Sequence, residues 1–111
     1  MRAGRDEVLD IFRKWLADKV FVRVQGSFAL FAFGLWGFIT SVEPHELRIM
    51  NVETETEFIL RLNRDIELGY GDNRIVTGEE KRFSECIIAF PGPIPETGTP
   101  DTIAIAALIT S

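Results

Sequence analysis

Two stretches of strict alternation constrain this chain more than any other feature. Val20, Val22 and Val24 alternate with Phe21, Arg23 and Gln25, and Phe58, Leu60 and Leu62 alternate with Glu57, Ile59 and Arg61. A period of two with one apolar side is the pattern of a strand that buries one face, and it fixes both the register and the side that becomes core. Strands of this kind need partners, and the residues around them supply candidates.

Residues 28–42 read as a long second strand or two short ones, carrying Gly34 and Gly37, with Gly26 just before. Three glycines predict that this segment bends, which lets a small sheet curl on itself and close. Glu43-Pro44-His45-Glu46 reads as a turn, because proline fixes φ and cannot donate to a central ladder. It leads to a third strand at 47–52, a polar bridge at 53–56 and a fourth strand at 57–62, whose pairing 66–70 extends. Gly69-Tyr70-Gly71-Asp72-Asn73 is a turn signal, 72–82 a polar loop, and 83–90 a final strand carrying Cys86. Four prolines and two glycines make 91–100 an extended linker, and 102–109 follows as a short apolar tail.

Ahead of the strands, residues 6–19 place Val8, Ile11, Phe12, Trp15 and Leu16 on one helical face. Asp6 and Glu7 at the start and Lys19 at the end complement the helix dipole. Because its charges are mixed rather than basic, this helix reads as a cover for one side of a small sheet and not as a membrane anchor. The uncharged run 24–42 approaches the roughly 20 residues that span a bilayer. Its polar residues and glycines favour a buried, bent strand instead, so no membrane association is expected.

At 111 residues, with 46% hydrophobic and 26% charged residues, the chain has the size and composition of one globular domain. The expected fold is mainly β: an N-terminal α-helix followed by a bent five-stranded antiparallel sheet curled into a small barrel over 1–90, with 91–111 as a C-terminal extension. Twelve Lys and Arg against seventeen Asp and Glu give a net charge of −5, which disfavours nucleic acid as a partner. The single cysteine, Cys86, allows no intrachain disulfide and fits a reducing, cytoplasmic setting.

One helix, a valine-rich strand, a long bent strand, a hairpin and two further strands together resemble the Sm-like, or SH3-like, small β-barrel. The resemblance covers residues 6–90 and rests most on Gly34-Leu35-Trp36-Gly37-Phe38-Ile39-Thr40-Ser41-Val42 followed by Leu47-Arg48-Ile49. It implies a ring or other homo-oligomer joined through edge strands, and RNA binding in many members. The family's Asp-x-x-Met-Asn and Arg-Gly motifs are absent from this chain, so the resemblance assigns no RNA-contacting residue.

No residue pattern names a reaction. His45 is the only histidine and sits beside a proline in a turn, flanked by Glu43 and Glu46, where it reads as a solvated side chain and not as a metal ligand. Cys86, among apolar neighbours, reads as core. Glu53, Glu55 and Glu57 would share one side of an extended strand, where like charges deter unwanted pairing. Phe31, Phe33, Trp36 and Phe38, with Arg23 and Arg48 nearby, are either barrel core or an aromatic platform for bases. No catalytic residue, metal ligand or cofactor is expected.

The function expected is therefore that of a non-catalytic barrel that self-assembles and serves as a binding or scaffold module. Its interface is placed on the apolar tail, at Ile103, Ile105, Leu108 and Ile109. Two alternatives differ in class: an RNA or single-stranded nucleic-acid binding protein, and a small-ligand or enzymatic domain with the loop 72–82 and the turn 43–46 as its mouths.

Overall fold

The helix forms where the apolar spacing puts it. The computed structural model describes residues 4–62, 67–70, 83–91, 96, 98 and 100–108. In it α1 (Arg5–Ala17) buries Val8, Leu9, Phe12 and Trp15, with Asp6 and Glu7 in its first turn and Lys14 in its last. Lys19 does not continue the helix but stops it, at a positive φ of 53°. Its N–H reaches the Leu16 carbonyl at 3.2 Å, and the N–H of Val20 reaches the Trp15 carbonyl at 3.0 Å. That pair of bonds is a Schellman closure, and it turns the chain directly into the first strand.

Among the described residues seven strands follow: β1 (Phe21–Ser27), β2 (Ala32–Glu43), β3 (Glu46–Asn51), β4 (Thr56–Arg61), β5 (Glu67–Tyr70), β6 (Phe83–Phe90) and β7 (Thr102–Leu108). They make one sheet in the order β4-β3-β2-β1-β7-β6-β5, and every neighbouring pair is antiparallel. The five-stranded barrel is thus replaced by a seven-stranded sheet that does not close. A small barrel would close on the free side of β1, and here β7 occupies that side.

Two segments account for the difference. Residues 67–70 do not extend the pairing of β4; they form β5 and pair with β6, with Leu68 opposite Ala89 and Tyr70 opposite Ile87. The supposed tail is β7, held between β1 and β6, with Ile105 opposite Val24 on one side and Ile87 on the other. β7 therefore shares one sheet with β1 to β6. Ile103 and Ile105, offered by the sequence as an interface, are buried in the chain's own core. Leu108 is partly buried, and Ile109, the loop at 72–82 and most of the linker lie outside the described residues.

The irregularity in β2 falls at Thr40 and not at a glycine, and the strand's ladder to β1 runs without a shift past Gly34 and Gly37. Its register to β3 shifts between Ile39 and Ser41, and next to that bulge a Cβ on Gly37 would run into the backbone carbonyl of Met50. Only glycine lets the two strands approach this closely. Leu30, assigned by sequence to the second strand, instead lies in the β1–β2 connection. The turn at Pro44 and His45 joins β2 to β3, with Glu43 opposite Glu46.

Alternation sorts the sheet into two faces. Val22, Val24, Leu35, Ile39, Leu47, Ile49, Leu60, Leu68, Ile87, Ala89, Ile103 and Ile105 join the helix residues in one core cluster, and the registers place them all on the face that α1 covers. Arg5 fastens the start of the helix to the end of the β4 segment by donating to the Leu62 carbonyl at 2.6 Å. Among the described residues no helix is long and apolar enough to cross a membrane.

Candidate functional site on the open face of the sheet

Residues that alternate with the core positions face away from the helix. On β1 these are Phe21, Arg23 and Gln25; on β2, Gly34, Trp36 and Phe38; on β3, Glu46, Arg48 and Met50; on β4, Glu57, Ile59 and Arg61. A sheet face turned to water normally carries polar residues at such positions. Here its centre is aromatic.

Phe21 stacks on Trp36 with ring centroids 5.3 Å apart and planes 15° from parallel, and meets Phe38 edge-on at 5.1 Å. The pairing of Phe21 with Phe38 and of Arg23 with Trp36 across the β1–β2 ladder brings these side chains together. The Arg23 guanidinium lies 5.1 Å from the centre of the Trp36 ring, a cation–π contact. Gly34 makes room for it, since a Cβ there would strike the guanidinium. Phe38 is 38% exposed and Ile59 39%, so the patch is reachable by a partner.

Toward β6 the same face changes character. Cys86, Ala104 and Ala106 are buried in a second cluster against Trp36, Ile88 and Leu108. Small side chains on β7 let their larger neighbours close over them, and Cys86 is part of this packing. Toward β4 the face becomes charged. Arg48 donates to Glu46 at 2.7 Å and to Glu57 at 3.1 Å, and Arg61 stands 3.9 Å from Glu46. The hydrogen bond from Arg48, aided by the charges of Arg48, Arg61 and His45, holds the Glu46 carboxyl below the usual glutamate range against the opposing effect of desolvation. The Arg48 guanidinium is held correspondingly above its usual value, chiefly by the hydrogen bond to Glu46.

The aromatic residues singled out from sequence are divided by the fold. Trp36 and Phe38 lie on the open face. Phe33 lies on the helix side, stacked with Phe28 and tilted against Phe58. Phe31 is 59% exposed beside Leu30, 95% exposed, at the tip of the β1–β2 connection. Phe21 was missed as a member of the patch, although its parity with Arg23 and Gln25 already excluded it from the valine face. His45 is exposed in its turn, and its carbonyl accepts the N–H of Leu62 at 2.8 Å. The expected row of Glu53, Glu55 and Glu57 does not form: residues 52–55 are a turn, with Glu55 at a positive φ of 56°, and Glu57 alone stands on β4. Among the described residues no three His, Cys, Asp or Glu side chains gather where they could hold a metal ion.

Among the described residues this geometry is that of one helix packed on one face of a seven-stranded antiparallel sheet. No family model, no curated protein and no solved structure matches the chain.

Proposed function

We propose that the chain is a non-catalytic module that self-assembles and serves as a binding or scaffold protein, with the open face of its sheet receiving a partner. The observation that carries this reading is the contrast between the two faces. One is covered by α1, while the other carries Phe21, Trp36, Phe38, Met50 and Ile59, of which Phe38 and Ile59 are exposed. Apolar area of this kind is stabilised when a partner removes it from water. Light scattering on the full chain over a wide range of concentration tests the assembly: masses above that of one chain are expected, and a monomer at every concentration overturns it.

One contact favours a second reading. Arg23 on Trp36, beside Phe21 and Phe38, is the combination of cation and stacking rings that holds single-stranded nucleic acid. The net charge of −5 and the engagement of Arg48 by two glutamates weigh against it. Binding of a labelled single-stranded oligonucleotide at low salt, weakening steeply as salt rises, would support this reading; no binding at low salt removes it.

A further inference from the structure

Resting on the reading that copies of the chain associate, we infer that they join edge to edge, through antiparallel pairing of β4 with β4 of a second copy about a two-fold axis at Ile59. β4 is an edge of the sheet: β3 lies on one side, and among the described residues no strand lies on the other. An edge of this kind offers a row of backbone donors and acceptors.

The N–H of Leu62 donates to the carbonyl of His45, one step beyond the Arg61–Glu46 pair. The β3–β4 ladder runs without a register shift, and along an antiparallel strand successive residues aim their backbone groups to alternate sides. Thr56, Phe58 and Leu60 therefore bond to β3. Glu57, Ile59 and Arg61 turn their N–H and C=O groups to the free edge.

These same three residues put their side chains on the open face, in the order acid, aliphatic, base. Run antiparallel to itself with Ile59 opposite Ile59, the strand places Glu57 opposite Arg61 of the second copy, and Arg61 opposite its Glu57. On the helix side, Phe58 then meets Leu60. Every outward backbone pair is satisfied, each charge meets its opposite, and each face keeps its polarity across the junction. Other centres lose this match: a pairing about Glu57 or Arg61 sets like charges against each other, and one about Phe58 sets Glu57 against Ile59. The charges that would repel an unrelated strand thus admit a second copy of this one. A two-fold axis of this kind leaves both aromatic faces on the same side of a continuous sheet.

The test uses the full chain and reads its self-association by analytical ultracentrifugation, with circular dichroism as the check on folding. Ile59→Pro removes only an N–H that points to the free edge, a place where strands tolerate proline; a folded monomer is expected. Arg61→Glu, at a side chain 74% exposed, sets acid against acid twice and should weaken association by roughly tenfold or more. Adding Glu57→Arg to it restores the opposite-charge pairs and should recover most of the affinity. If the wild type associates and neither Arg61→Glu nor a folded Ile59→Pro changes this, edge pairing is wrong and the assembly reading stands. A wild type that never associates overturns both.

Discussion

Arg48 organises the charged margin of the open face through two carboxylates, Glu46 at 2.7 Å and Glu57 at 3.1 Å. Because Glu46 is held below its ordinary value of 4.5 in the folded chain, its ionised form is favoured by folding. That contribution is present above the ordinary value and is lost as pH falls through the lowered one. Stability of the wild type, followed by urea denaturation at a series of pH values, is expected to exceed that of Glu46→Gln near neutrality and to converge on it once pH has fallen below the lowered value. A gap that stays constant into acid would show that Glu46 acts through something other than its charge. At this scale the site was partly legible. Trp36, Phe38, Arg23 and Arg48 were all visible as an aromatic and basic set, but which of the phenylalanines face out depends on strand parity. Phe33 and Phe38 differ by an odd number of positions and so point to opposite faces, and only the register with β1, which sets Phe38 opposite Phe21, sorts them.

Among the elements, those with a clean period were the readable ones. α1, β1 and β4 each bury one face and expose the other, so their sequences carry the pattern openly. β7 does not. Ile103, Ile105 and Ala107 pack on the helix side while Ala104 and Ala106 are buried on the other, and a strand buried on both faces reads as an unbroken apolar run. β5 was seen as a strand but given the wrong neighbour, since local sequence encodes pleat and not the identity of a distant partner. The helix end holds a testable detail of the same kind. Lys19 closes the Schellman turn in a left-handed conformation that costs a side chain about 1–2 kcal/mol and glycine little. Lys19→Gly should therefore raise the unfolding free energy by up to about 1 kcal/mol, read from the denaturation midpoint, after the greater flexibility of glycine in the unfolded chain is offset.

Taken as a whole, the molecule is two antiparallel meanders, β1 to β4 and β5 to β7, joined along the β1–β7 ladder from Val22–Ala107 to Ser27–Thr102. Removing residues 102–111 deletes that ladder, and it also strips β6 of its longer neighbour. The shortened chain is expected to lose its cooperative thermal transition and its near-ultraviolet circular dichroism, rather than to survive as a trimmed monomer. Retention of a sharp melt would mean that the first meander and α1 are a self-sufficient unit. The general class, mainly strands with an N-terminal covering helix, was legible because it follows from composition and period. The openness of the sheet was not, because it depends on which strand takes the vacant side of β1.

The adjacency of β1 and β7 has a further consequence for how the protein comes into being. A ribosome releases the chain in order, so α1 and the first meander emerge while the side of β1 that will accept β7 is still bare. That seam must wait, unpaired, through the synthesis of some 75 residues before Thr102 arrives opposite Ser27. The nascent chain is thus most in need of protection midway through its own production, at the strand that later lies safest.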